Sequence, residues 1–241
     1  MSQLSLAGEA NISAKHLSFL ETGRSQPSRE MITRLAEELE IPLRERNALL
    51  TAAGYAAVYP LRPLEDDALA GARTAIKAVI DGHMPHPALA VDRHWKMIAA
   101  NAAVAPLLEG VDRSLLEPTA NVLRLSLHPR GLAPRIRNLG AWRAHLLSRL
   151  RRQIEATADR ELAALHEELS AYPGGAPDAP EVTRAFAEVA IPLELETKAG
   201  VLSFLSTTTV FGTPVDVTLS EIAIEAFFPA DAATARRLTA P

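Results

Sequence analysis

The stretch QLSLAGEANISAKHLSFLETGR, residues 3–24, decides how the front of the chain folds. Leu4, Leu6, Ala7 and Ala10 form one apolar stripe, which stops at Asn11-Ile12-Ser13. Ser13 is a good N-cap, because its hydroxyl can accept one of the unpaired backbone N–H groups of a following helix. In that helix Leu17 and Leu20 face inward at i,i+3 spacing. Gly23 supplies the left-handed stop. Pro27-Ser28 opens a third helix, with Glu30 near its positive end and Met31, Ile32, Leu35, Ala36 and Leu39 as its buried face. Pro42 starts a fourth helix that ends near Gly54. A short helix, a three-residue turn and a capped second helix are the parts of a helix-turn-helix, whose second helix enters a major groove. Ala14, Lys15, His16 and Ser18 suit its exposed side, while Gln3 and Arg24 are placed to donate to phosphates. The same parts also occur in many all-helical cores, so the pattern alone leaves both readings open.

Working outward, Tyr55–Pro63 with its two prolines reads as a linker. Asp66 to Asp81 is helical, with Leu69, Ala72, Ile76, Val79 and Ile80 as its core face. Ala88–Val91 and Trp95–Ile98 are short strands around Asp92-Arg93-His94, and a small helix follows from Asn101 to Leu108. Asn121–Leu127, Trp142–Ala156 and Glu161–Ser170 are helices, with an irregular break at Pro129, Gly131 and Pro134 and a loop over Pro173–Pro180. Val189, Ile191, Leu193 and Leu195 then alternate with polar or small residues, as an edge strand carrying Pro192 would. Val201–Phe211 is a second strand; Gly212-Thr213-Pro214 is a turn, and Ile222, Ile224, Ala226 and Phe228 alternate again. The fold class expected is α+β. A small all-α domain occupies 1–57, a linker 58–64 and an α+β sensor-like domain 65–235.

The 241 residues are 48% hydrophobic and 22% charged, the balance of a folded chain with one large domain or two smaller ones. The absence of cysteine removes disulfides, thiolate metal sites and a cysteine nucleophile together. No apolar run reaches the roughly 18 residues of a membrane span, Met97–Leu108 being broken by Asn101 and Pro106. Met1–Glu9 has no signal-peptide pattern, so a cytoplasmic protein with no membrane partner is expected. The net charge of −4 is unevenly spread, with eight arginines and no acid between Thr119 and Arg152 and an acidic C-terminal third. That basic stretch reads as a solvated helix face, as a dimer contact with the acidic C-terminal third, or as auxiliary DNA phosphate contact. The chain has no nucleophile elbow and no phosphate-binding glycine loop, and Pro85 and Pro87 keep His83 and His86 off one helix face. No enzyme, cofactor or metal is expected.

The residues of the opening stretch, with Pro27-Ser28 after them, resemble the phage-repressor-like (XRE) helix-turn-helix family from Gln3 to about Ala53. The resemblance implies double-stranded DNA as partner, with Gln3 on a phosphate and Ser13 at the cap beside the backbone. Lys15 would reach base edges, and Ala14 and Phe19 would meet thymine methyls. Glu21 would be structural. The family has a complete helix before the Gln3 helix, whereas this chain begins at Met1 inside it. The expectation is therefore a truncated domain with its first helix missing, and the alternative function is a ligand-binding or protein-interaction module that no longer reads DNA.

Asn101, Asn121, Arg124, His128 and Asn138 sit among apolar neighbours, where burial demands partners. They read either as loop caps or as the polar groups of a pocket, in which an arginine and a histidine would suit a carboxylate. Ala88-Leu89-Ala90-Val91-Asp92-Arg93-His94-Trp95, Ala99-Ala100-Asn101, Asn121-Val122-Leu123-Arg124-Leu125, Phe211-Gly212-Thr213-Pro214 and Phe227-Phe228-Pro229-Ala230-Asp231 look like the ligand-binding domain of the MmyB-like transcription regulators. That resemblance implies a PAS-like domain around a cavity for a small apolar, fatty-acid-like ligand, in a one-component regulator acting as a homodimer. Within it, Trp95, Asn101, Arg124 and His128 are the expected pocket residues, with Thr209 and Phe228 on the sheet face. Asp92 is expected in a turn and Trp142 in the core.

Overall fold

The computed structural model describes residues 2–174 and 191–239. Contacts divide the chain into two units, Met1–Asp66 with Gly212–Ser220, and Asp67–Phe211 with Glu221–Pro241. Val189 and most of the Pro173–Pro180 loop lie outside the described residues.

The first unit begins with four helices, α1 (Gln3–Glu9), α2 (Ala14–Glu21), α3 (Arg29–Glu38) and α4 (Leu43–Ala52). Three serines start the first three: Ser2 accepts from Ser5 N, Ser13 from His16 N and Ser28 from Met31 N, at 3.1–3.2 Å. Asn11 takes φ +51° in the turn between α1 and α2, and Gly23 takes φ +69° after α2, a conformation that only glycine adopts without strain. Ala7, Ala10, Leu17, Ile32, Ala36 and Leu50 are buried as the core of this unit.

The segment expected as a linker is held along α4. Asn47 donates to Tyr59 O at 2.7 Å and accepts from the N–H groups of Val58 and Tyr59. Residues 212–220, which carry the short helix α9 (Val217–Ser220), fold onto the same segment. Val217 N donates to Pro60 O at 2.9 Å, Thr218 Oγ1 to Arg62 O at 2.6 Å, and the fully buried Asp216 pairs with Arg62 at 3.2 Å.

In the second unit, α5 (Ala70–Asp81) is followed by strands β1 (Ala88–Val91) and β2 (Met97–Ala100). Helices α6 (Val122–Leu127), α7 (Leu139–Thr157) and α8 (Arg160–Ala171) come next, then β3 (Leu193–Thr197), β4 (Gly200–Val210), β5 (Ala223–Pro229) and α10 (Ala232–Thr239). Among the described residues the five strands make one sheet of order β2-β1-β5-β4-β3, antiparallel throughout. The fold is therefore α+β. Leu89, Val91, Leu193, Leu195, Leu202 and Phe204 of one sheet face pack with Leu123, Leu127, Trp142, Leu146, Leu150, Leu162, Leu165 and Leu169 of α6–α8. Burying each such side chain contributes about 1.5–3 kcal/mol. The opposite face of β1 and β5 is covered by α5, where Ile76 and Ile80 are buried.

Two expected elements differ. Asn101–Leu108 forms turns and a short 3₁₀ segment, Ala105–Leu108, because Pro106 cannot donate to an α-helical ladder. The strand expected from Trp95 begins at Met97, since Trp95 closes the hairpin turn at φ +66°. The carboxylate of Asp92 makes that turn by accepting from the N–H groups of His94 and Lys96 at 2.8 and 2.9 Å.

Asn138 fixes α7 against the sheet. Its Nδ2 donates to Pro192 O at 2.7 Å, its Oδ1 accepts from Glu194 N at 3.2 Å, and its own carbonyl accepts from Trp142 N in the first turn of α7. The side chain is 1% exposed, so an Asn138→Ala chain leaves the Pro192 carbonyl and the Glu194 N–H buried without this partner. The expected cost is about 1–3 kcal/mol. Urea unfolding followed by tryptophan fluorescence reads it, and an unchanged midpoint contradicts the role given to Asn138.

Candidate functional site

In the first unit, α2 presents an exposed cationic group over an aromatic ring. Lys15 Nζ lies 5.6 Å and Arg24 Cζ 5.9 Å from the centroid of Phe19, one on each side of its position in sequence. Lys15 and Arg24 are exposed, and Ala14 and Phe19 are partly exposed beside them. Ser13 spends its hydroxyl on the His16 N–H in the first turn of α2, so what it offers beyond the cap is backbone. Gln3 donates from Nε2 to Glu21 Oε2 at 2.5 Å, which orients the amide at the start of α1 by a carboxylate at the end of α2.

The second unit holds a partly open cavity of about 90 Å³ between the sheet and helices α6 and α7. Each strand contributes the residues of one face: Leu89, Met97, Leu193 and Leu195, Ser206, and Glu225 with Phe227. Val122, Leu123 and Ser126 come from α6, and Trp142, Leu146 and Arg149 from one face of α7 at i, i+4 and i+7. Leu107 and Leu108 of the 3₁₀ segment close another side. A space this apolar, and several times the ~10–15 Å³ that one water needs, favours an apolar occupant over water.

The wall carries few polar groups. Arg149 grips Glu225 with two nitrogens, at 2.6 and 3.1 Å, and donates to Thr208 Oγ1 at 2.7 Å. Its guanidinium also lies 4.5 Å from the Trp95 ring centroid. Ser126 Oγ accepts from the Trp142 indole at 2.8 Å. Next to Trp142, with stacked rings, His145 has its imidazole pKa held below the usual range by burial and then by Arg149 and Arg152, which keeps it neutral.

Of the residues expected in a pocket, Trp95 lines this cavity and the others stand elsewhere, while Trp142, expected in the core, lines it too. Trp95 is held from behind: its indole donates to Gln153 Oε1 at 2.9 Å, and Gln153 donates back to Arg93 O. Arg93 and His94 reach Asp159 at the start of α8. Burial alone would raise the Asp159 carboxyl, but hydrogen bonds from His94, Arg93 and the α8 N–H groups hold it well below the usual carboxylate range. Asn101 is a buried loop cap, donating to Ile80 O and His86 O and accepting from Ala88 N. Arg124 makes a bidentate pair with Glu168 at 2.7–3.0 Å on the outside of α6. His128 stacks edge-on with Tyr172 at 5.0 Å. Thr209 and Phe228 lie one residue out of step with the cavity face, so Thr209 points to solvent and Phe228 packs on His83.

Sequence reasoning missed Arg149, Glu225, Ser126 and Phe227. The spacing of Trp142, Leu146 and Arg149 was the available signal on α7. On β5 no such signal existed, because Ile224, Glu225 and Ala226 are all buried and alternation cannot choose between two covered faces. Among the described residues, no group of three or more histidine, aspartate or glutamate side chains is placed to hold a metal ion. No described helix is long and apolar enough to cross a membrane.

Burial, and then the hydrogen bond to Glu168, push the Tyr172 hydroxyl up to about 12 from 10.0, while Arg124 and Tyr172 hold Glu168 below its usual range. In a spectrophotometric titration Tyr172 therefore ionises near pH 12, and in Glu168→Gln its pKa falls part of the way toward 10.0. No fall contradicts the Arg124–Glu168–Tyr172 arrangement.

The family described as "MmyB-like transcription regulator ligand binding domain" matches residues 72–240. A helix-turn-helix family matches residues 1–46. No curated protein matches the chain.

Proposed function

The chain belongs to the MmyB-like transcription regulators, a DNA-binding helix-turn-helix followed by a ligand-binding domain, and from that premise we propose that its apolar cavity is a sensor that sets DNA affinity. In this reading a cytoplasmic, one-component regulator binds double-stranded DNA as a homodimer, because one reader spans only one half-site. Lys15 reads base edges, Ala14 and Phe19 meet thymine methyls, and Gln3, Arg24 and the backbone at Ser13 contact phosphates. The first 62 residues carry equal numbers of basic and acidic side chains, so phosphate affinity rests on these placed groups. The ligand is a small apolar molecule built on a fatty-acid-like chain.

One observation carries the reading. The cavity is walled by β4 and β5, and the segment joining them is hydrogen-bonded to the linker that follows the DNA reader. A ligand changes an equilibrium only through different affinity for its two states. Here the two states differ in how Leu107, Leu108 and the β4–β5 pair close on the cavity, and the strands carry that difference into residues 212–220. Both matched families are parts of regulators and not enzymes.

Two measurements test this. On a DNA site selected from random sequence by the full chain, Lys15→Ala loses about 1–3 kcal/mol and relaxes preference at one base pair. Equal binding by Lys15→Ala and the unaltered chain on every sequence defeats the assignment. Asp216→Asn leaves helix-turn-helix and cavity in place but breaks the ion pair with Arg62. It is expected to keep DNA binding and ligand binding while weakening the effect of one on the other. An undiminished ligand effect in Asp216→Asn removes this route.

A further inference from the structure

We propose that the cavity selects an uncharged amphiphile, an apolar chain ending in a hydroxyl, ester, ketone or amide, and discriminates against a carboxylate. The inference rests on the cavity being the ligand site and adds the chemistry of the ligand's head. Among the described residues the wall bears two charged side chains, Arg149 and Glu225, and they already neutralise each other. The pair is bidentate, and Thr208 locks it from the side, its hydroxyl accepting from Arg149 at 2.7 Å and donating to Glu225 Oε1 at 3.0 Å.

An incoming carboxylate has two options, both unfavourable. It can settle beside the pair, where it meets the carboxylate of Glu225, itself largely buried. Or it can displace Glu225 from Arg149, leaving a carboxylate whose side chain is 6% exposed without its counter-ion. His145, one turn before Arg149 on the same helix, supplies no compensating charge, because burial and its arginine neighbours favour its neutral form.

A neutral oxygen meets neither obstacle. A guanidinium has five N–H groups, of which Arg149 spends three on Glu225 and Thr208. The Ser126 hydroxyl, whose oxygen accepts from the Trp142 indole, keeps its own proton to donate. Seven residues of helix separate Trp142 from Arg149, about 10 Å along the axis, with Leu146 between them. That is room for an alkyl chain of medium length with its head at the Arg149 end.

Both tryptophans of the chain, Trp95 and Trp142, line the cavity, so intrinsic fluorescence reads occupancy directly. The full chain is titrated with 1-octanol, methyl octanoate and octanoate at pH 8, where octanoate is ionised. The neutral compounds are expected to bind at least about tenfold more tightly than the anion. In Glu225→Gln the preference reverses, because Arg149 then faces the cavity without its counter-ion. If that variant does not fold, as judged by circular dichroism, the comparison on the unaltered chain decides alone. Octanoate binding as tightly as 1-octanol overturns the head-group inference and leaves the cavity reading standing. No response to any of the three overturns the cavity reading and this inference with it.

Discussion

The buried amide of Asn138 holds the start of α7 against β3, donating to the Pro192 carbonyl and accepting from the Glu194 N–H. The main chain strengthens the same junction, with Arg137 N donating to Glu194 O and a bridge between Ile136 and Leu195. Because α7 is one continuous helix of 19 residues, fixing its first turn fixes where Trp142, Leu146 and Arg149 meet the sheet. α8 then packs back along α7, and its N-cap Asp159 reaches Arg93 and His94 in the β1–β2 turn. The cavity is the space that this frame leaves unfilled. Its floor is a sheet face and its roof is made by α6 and α7, so anything in it lies against strands.

The same frame explains why the wall is so poor in polar groups. Asn101, Asn121 and Asn138 are all buried, yet each spends its amide on backbone: loop closure under α5, the cap of α6 and the α7–β3 junction. Gly131 belongs to the same economy of space. A Cβ there would lie 2.3 Å from Leu125 O, where the chain turns sharply after α6. What remains facing the cavity is mostly apolar side chains, with two serines and one closed ion pair.

Much of this was legible in the sequence. Serine caps, the Gly23 stop and apolar spacing gave the four helices of the first unit, because those signals act within a few residues. The ordered motifs from Ala88 to Asp231 pointed to the family of the second unit, and Trp95 was singled out as a pocket residue from them. Long-range partners were not legible. Arg124 looked like a pocket cation because Val122, Leu123 and Leu125 surround it in sequence, but its partner Glu168 lies on another helix. Arg149 looked like one of eight solvated arginines, although it pairs with Glu225 on β5. The resemblance implied Thr209 and Phe228 on the sheet face, but both faces of their strands are in use, and a period of two cannot say which face encloses a ligand.

The central claim is that the space between α7 and the sheet holds a small apolar molecule. Native mass spectrometry of the full chain, purified without organic solvent, tests it against a Leu146→Trp chain of equal helix content in which that space is filled. The account predicts a small apolar molecule released on denaturing the unaltered chain and absent from Leu146→Trp. The same spectrum from both chains contradicts it.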